Sequence, residues 1–302
     1  MKPVLESPMK MNRYWMRLAL TAIFLLILAA AGTVIGVSYQ QADGYLHPER
    51  HVAAGDTLRA NGVAFQEIEL VTDDGVKLSA WYTPPRNGTV ILAAHGYGLH
   101  RPEDVYLLFA SHGYGVVAWD FRAHGTSGGE FSSLGYYEIL DVKAALDFAL
   151  AQPGVEHVGG WGGSMGAVTM IRAAAQYPGI EALVADSPFS TLEDEMDLRI
   201  PIPVMRSLIQ FFAERKSGVG LDRVRPVDDI SRISPRPVLI IQGMADGMVP
   251  LDSAQRLYDA SGEPRDLWTE PGVPHLSMFA YHGTEYTERV VGFFDRYLTV
   301  KN

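Results

Sequence analysis

The stretch Val155–Gln176, VEHVGGWGGSMGAVTMIRAAAQ, reads as a strand, a tight turn and a helix in unbroken succession. VEHVGGW is a short apolar run after the turn residues Pro153 and Gly154, the pattern of a strand buried on both faces of a parallel sheet. Gly162-Gly163-Ser164-Met165-Gly166 then fits G-x-S-x-G, in which a serine sits on a sharp bend at a strand end. Glycines are needed there because neighbours carrying a Cβ would clash around the strained backbone. The alanine-rich AVTMIRAAAQ opens a helix whose N-terminal N–H groups favour negative charge developing on a substrate oxygen. The same pattern recurs at Gly125-Thr126-Ser127-Gly128-Gly129, but no strand leads directly into it and a loop, GEFSSLG, follows. Ser164 is therefore the candidate nucleophile, and Ser127 reads as a loop residue.

Working outward, the same alternation extends over most of the chain. Phe65–Thr72 and Val76–Thr83 alternate in polarity around Asp73-Asp74-Gly75, which reads as a hairpin. Thr89–His95, Gly115–Phe121, Ile180–Asp186 and Pro237–Gly243 are further short apolar runs, and DLWTE (Asp266–Glu270) is strand-like. Helical patterns lie between and beyond them at Pro102–Ser111, Tyr136–Ala151, Ala167–Gln176, Ser253–Ala260 and Thr284–Tyr297. An antiparallel start followed by repeating strand–helix units predicts an α/β fold, a mostly parallel central sheet flanked by helices. Thr191 to Arg236 breaks the rhythm, and a connection that long carries its own structure; it reads as a small helical cap, about 191–236, inserted in a domain spanning 63–302. Phe211, Phe212, Leu208 and Ile209 within it suit an apolar acyl pocket or a helix packed on the core.

A serine hydroxyl needs a base within reach and a carboxylate to orient that base. With this elbow the chain order is Ser, acid, His. His275, in the loop PGVPHLS after DLWTE, is the candidate base ahead of His282, which opens the last helical segment and is expected to face solvent. Asp246 follows the strand candidate PVLIIQG and is the candidate acid; Asp186, one strand earlier in ADSPF, is its competitor. Asp252 stands before Ser253-Ala254-Gln255, a capping-box pattern, and reads as a helix cap. His95-Gly96-Tyr97-Gly98 ends another strand, where the Tyr97 N–H can pair with that of Met165 as an oxyanion hole and His95 holds the turn.

Leu18 to Val37 is an uncharged run long enough, at ~1.5 Å per helical residue, to cross a bilayer. Lys2, Lys10, Arg13 and Arg17 precede it, so the positive-inside rule places residues 1–17 in the cytoplasm and the bulk of the chain outside, tethered by an anchor over 18–37 and a polar linker over 38–62. The competing reading is a signal peptide cleaved after Ala29-Ala30-Ala31. The formal net charge of −10 argues against a nucleic-acid partner, and the absence of cysteine removes thiol catalysis, disulfides and thiolate metal sites. No cofactor or metal motif stands in a convincing context.

AAHGYG, DFRAHGTSGG, GGWGGSMGAVTM, ADSPF, IIQGMADGMVP and GVPHLSMF together resemble the successive signature stretches of the α/β-hydrolase superfamily, over roughly residues 65–300. The likeness is nearest to the branch of serine aminopeptidase-like, monoacylglycerol-lipase-like and BEM46-like hydrolases. That branch often has glycine where this chain has Ala123, which puts the geometry of the loop in question; Asp120, Arg122 and His124 are read as fixing it. The resemblance implies acyl transfer to water through Ser164, His275 and Asp246 without a cofactor, on a small-molecule ester. A peptidase or thioesterase on the same residues, or a membrane-tethered binding module that has lost activity, are the alternatives.

Overall fold

The computed structural model describes residues 12–298, so Lys2 and Lys10 of the charge argument lie outside the described residues. A long helix, α1 (Arg13–Leu46), leads through a short α2 (Asp56–Ala60) into the hairpin of β1 (Gln66–Val71) and β2 (Lys77–Thr83). There follow β3 (Thr89–Ala94), α3 (Glu103–Ser111), β4 (Gly115–Trp119), α4 (Glu138–Leu150), β5 (His157–Gly163), α5 (Met165–Gln176) and β6 (Ala182–Asp186). The cap contributes α6 (Leu192–Arg199), α7 (Pro203–Ser217) and the single turn α8 (Pro226–Asp229). Then come β7 (Val238–Gly243), α9 (Ser253–Ala260), β8 (Arg265–Glu270) and α10 (Met278–Leu298), which bends at His282.

The eight strands form one sheet in the order β1-β2-β4-β3-β5-β6-β7-β8, with β2 antiparallel to both neighbours and β3 to β8 parallel. This is the α/β-hydrolase fold. The apolar runs are buried end to end in β3, β4, β6 and β7, as strands covered by helices on both faces must be. Leu92, Trp119, Ile171 and Ile240 centre the core on one face of the sheet, and Ile91, Phe109, Trp161 and Phe294 that on the other. Because β3 to β8 point the same way, the loops after β3, β5, β6, β7 and β8 gather at one edge.

Two expectations change. Residues 38–62 are not simply a polar linker: α1 continues unbroken to Leu46, and Ser38, Ala42 and Leu46 are buried on its domain-facing side. The i, i+4 spacing of these small and apolar residues is a helix face laid on a partner. Asp252 forms no capping box; it has helical φ/ψ and no side-chain cap bond, and its exposed carboxylate lies 3.9 Å from Arg256. α1 is long and apolar enough to cross a membrane, and among the described residues nothing covers its apolar window.

Candidate active site

Ser164 stands between β5 and α5 at φ 53° and ψ −119°, a left-handed conformation that a non-glycine residue adopts only when its surroundings enforce it. Two close approaches do so here. A Cβ on Gly162 would lie 2.4 Å from the Gly166 carbonyl oxygen, and one on Gly166 would lie 2.3 Å from that of Ala94. Helix α5 therefore starts in backbone contact with β3 and β5, and the Ser164 N–H donates to the Asp186 carbonyl at 2.8 Å.

The structure brings Ser164, His275 and Asp246 together. Ser164 Oγ lies 3.0 Å from His275 Nε2, and His275 Nδ1 lies 2.6 Å from Asp246 Oδ2. The carboxylate accepts at Nδ1–H, which leaves Nε2 as the acceptor facing the serine hydroxyl. Asp246 Oδ1 is fixed by the N–H groups of Met248 and Val249 at 2.8 and 3.0 Å. Burial opposes the Asp246 charge, but the hydrogen bond and charge of His275, with those two amides, outweigh it and hold the carboxyl below its usual range. The loop bearing His275 is tied to the loop bearing Asp246 by the Ala245 N–H, which donates to the Val273 carbonyl at 3.0 Å.

Asp186 lies close by but is engaged elsewhere. Tyr286 Oη and Ser187 Oγ each donate to it at 2.9 Å, and Trp161 Nε1 donates to Tyr286 Oη. Burial raises its carboxyl to about 6 against those two bonds. Ser187 Oγ in turn accepts from the Leu276 N–H, so Asp186 braces the residue after His275 without reaching the imidazole. His282 sits half-buried at the bend of α10 with its ring 6.3 Å from that of Trp268, away from the serine. Ser127 is buried in the loop after β4, donating to the Asp120 carbonyl and accepting from the Ser79 N–H.

Tyr97 and Met165 flank Ser164 at the cavity wall, and among the described residues neither backbone N–H has a protein acceptor. The turn that carries Tyr97 is held by two histidines. His95 Nδ1–H donates to the Gly96 carbonyl and its Nε2 accepts from Phe121 N–H, while His124 Nε2 accepts from Gly98 N–H. Burial, reinforced by His124, pushes His95 well below its ordinary range, so it stays neutral and able to accept. Asp120 pairs with Arg101, and Arg122 is clamped between Asp74 and Asp141, so all three residues of this motif fix the loop. Ala123 stands at φ 60°, which explains a preference for glycine at that position; the loop still closes, with the Ala123 N–H donating to the Gly128 carbonyl at 2.8 Å.

Over the serine lies a largely apolar cavity of about 300 Å³, lined by Leu134, Phe189, Leu192, Met196, Met248 and Leu276 among others. Glu195, Arg199 and Tyr45 also line it, and none was singled out in the sequence. Glu195 is paired with Arg199 at 2.7 Å through one oxygen, while its Oε2 is buried without a partner. Tyr45 lies in the segment read as linker, and only the buried spacing of Ser38, Ala42 and Leu46 betrays it. Phe211, Phe212 and Leu208 do not line this cavity; Phe212 packs edge-to-face on Tyr39 of α1, and Ile209 belongs to the core shared by the cap and α1. Among the described residues no group of acidic and histidine side chains is arranged to hold a metal ion.

The sequence model of the prolyl oligopeptidase family matches residues 103–301. An uncharacterized protein of Bacillus subtilis, YqkD, is 27% identical over 73% of this chain and 76% of its own length. The alpha/beta hydrolase domain-containing protein WAV2 of Arabidopsis thaliana is 24% identical over 91% and 93%. Among solved structures, the Pyrococcus furiosus esterase Pf2001 superposes with a TM-score of 0.72 at 27% identity, covering 84% of this chain and 98% of that protein.

Proposed function

The chain belongs to the prolyl oligopeptidase family of α/β-hydrolases, and from that premise we propose that it is a membrane-anchored serine esterase. One observation carries the reading: a strained serine, a histidine and a doubly anchored aspartate lie in hydrogen-bonded series, at 3.0 and 2.6 Å, at the floor of an apolar cavity. In this reading Ser164 Oγ attacks the ester carbonyl carbon while His275 Nε2 takes its proton. Asp246 keeps the proton on Nδ1 and stabilises the imidazolium that forms. The amides of Tyr97 and Met165, free of protein acceptors, receive the oxyanion. His275 then protonates the departing alcohol, and water, deprotonated by the same imidazole, releases the acid and restores Ser164. The similarity to the Pyrococcus furiosus esterase and the apolar lining support an ester of an apolar acyl group.

A peptide or other amide is the second reading. The family's name favours it. The anchor is read as α1, with the catalytic domain outside the cytoplasm on the charge bias. Fluorophosphonate labelling followed by a chain-length series of p-nitrophenyl esters, beside aminoacyl amides, tests the function. Label and ester turnover are expected in the wild type and in Ser127→Ala but not in Ser164→Ala. Labelling that survives Ser164→Ala would remove the nucleophile, and amide turnover exceeding ester turnover would favour the peptidase.

A further inference from the structure

The turn that joins α6 to α7 is an apolar tip. The chain there reads Leu198-Arg199-Ile200-Pro201-Ile202-Pro203-Val204-Met205. Leu198, Ile202 and Val204 are 49%, 51% and 59% exposed, a cluster rather than the scattered single residues common on soluble surfaces.

The position of this tip follows from how α7 lies on α1. Phe212 packs edge-to-face on Tyr39 with ring centroids 5.4 Å apart, and Lys216, one turn further along α7, reaches Asp43, one turn further along α1, at 2.5 Å. Equal steps in the same sense mean that the two helices run side by side in one direction. The N-terminal end of α7 therefore points back along α1 toward its membrane-crossing half. At ~1.5 Å per residue, Val204 lies ~18 Å back from the level of Lys216, whereas Val37, the end of the uncharged run, lies only ~9 Å back from Asp43. The tip thus reaches ~9 Å past the end of that run, within the ~5–10 Å by which interfacial helices bury their apolar faces. Arg199, within the tip, pairs with Glu195 at 2.7 Å, and the flanking Asp197 and Arg206 pair with one another at 2.9 Å, which lessens the cost of bringing these charges to a lipid surface.

We propose that this tip is a second membrane contact, seated in the leaflet from which α1 emerges, and that it holds the catalytic cavity over that leaflet so that acyl esters enter from the lipid. The proposal rests on α1 being a membrane anchor. Tyr45 and Arg199, one from each of the two membrane-directed elements, are in the cavity wall. A narrow cleft sharing Tyr45, Leu134, Leu192 and Met196 with the cavity continues between α1 and α7 to Ile209 and Ala213. Tyr45 stands only ~12 Å along α1 beyond Val37, so a single helix joins the cavity wall to the membrane-crossing run.

The cysteine-free chain permits a direct test on the full-length protein in phosphatidylcholine–phosphatidylglycerol vesicles. Ile202→Cys, Val204→Cys, Leu26→Cys in the anchor and Leu150→Cys, an exposed position at the end of α4, are each labelled with an NBD fluorophore and exposed to brominated phosphatidylcholine. Quenching is expected at 26, 202 and 204 and not at 150. Quenching at 26 without quenching at 202 and 204 overturns the proposal and leaves the anchor standing; no quenching at 26 removes both. As a functional arm, Ile202→Asp combined with Val204→Asp is expected to slow hydrolysis of a long-chain p-nitrophenyl ester carried in the vesicles by roughly tenfold or more. Turnover of soluble p-nitrophenyl acetate in the same vesicles is expected to stay unchanged. Unchanged turnover of both esters, or equal loss of both, overturns delivery from the leaflet.

Discussion

Replacing Gly166 by alanine tests how closely the reaction depends on one backbone contact. The added Cβ would lie 2.3 Å from the Ala94 carbonyl oxygen and 2.6 Å from that of His95. An ordinary carbon–oxygen contact is near 3.4 Å, and both obstacles are backbone atoms at the end of β3, so α5 and that end must separate by ~1 Å. Overpacking of this kind typically costs ~1–3 kcal/mol of stability. The shift falls between the two amides proposed to hold the oxyanion, since Tyr97 follows β3 and Met165 precedes Gly166. Oxyanion donors act at about 2.7–3.1 Å, and a misplacement of ~1 Å costs on the order of 10²-fold in rate. We therefore expect kcat to fall by roughly 10²–10³ with KM little changed, and the thermal midpoint to drop by a few degrees. The control is Gly292→Ala within α10, where a Cβ meets nothing within 4 Å: kcat should not move and the thermal midpoint should hold or rise slightly, since alanine favours a helix interior. Steady-state kinetics on a short p-nitrophenyl ester with a parallel melting curve decides the matter. A Gly166→Ala enzyme within threefold of wild-type kcat, or one that loses only KM, would refute the argument from close approach.

Three further expectations follow from the same geometry. Asp246→Asn should lower kcat by about 10⁴ through the wrong histidine tautomer, whereas Asp186→Asn, which loses only a brace behind Leu276, should cost far less; the reverse ranking in initial rates would move the acid to β6. The two carboxylates should also oppose one another in their effect on stability against pH. Asp246, held low, contributes stability above its unfolded value that is lost as pH falls through its folded one. Asp186, raised to about 6 from 3.8, costs stability as pH rises across that interval, up to ~3 kcal/mol, so melting curves of Asp186→Asn should gain on the wild type between pH 4 and pH 7; a gap that stays constant with pH would contradict it. Finally, a chain lacking residues 1–36 should be soluble and active, whereas one lacking residues 1–46 strips Ser38, Ala42 and Leu46 from the cap and Tyr45 from the cavity and should lose activity; equal activity of the two would show that this half of α1 is dispensable.

The elbow was legible in the sequence because all its determinants are local. A buried strand, two glycines where backbones meet and a helix start lie within a few residues of Ser164. The strands were legible for a related reason, since burial on both faces writes itself as an apolar run, and right-handed parallel units then leave few topologies. The choice between Asp186 and Asp246 was of another kind. Both follow apolar strands, and only the folded chain shows that Tyr286, from α10, and Ser187 engage the first, while the loop after β8 brings His275 to the second.

The sequence by itself determined the layered α/β architecture, the place of the cap and the apolar segment at the N-terminus, because periodicity and run length report burial along one element at a time. Only the tertiary structure decided that α1 continues past the apolar run as a wall of the cavity, that Phe212 of α7 faces α1 and not the cavity over the serine, and that Glu195 and Arg199 line that cavity. Those facts depend on which faces of distant elements meet. A helix face of serine, alanine and leucine carries no record of whether water, lipid or a cap helix lies against it until the chain has closed around it.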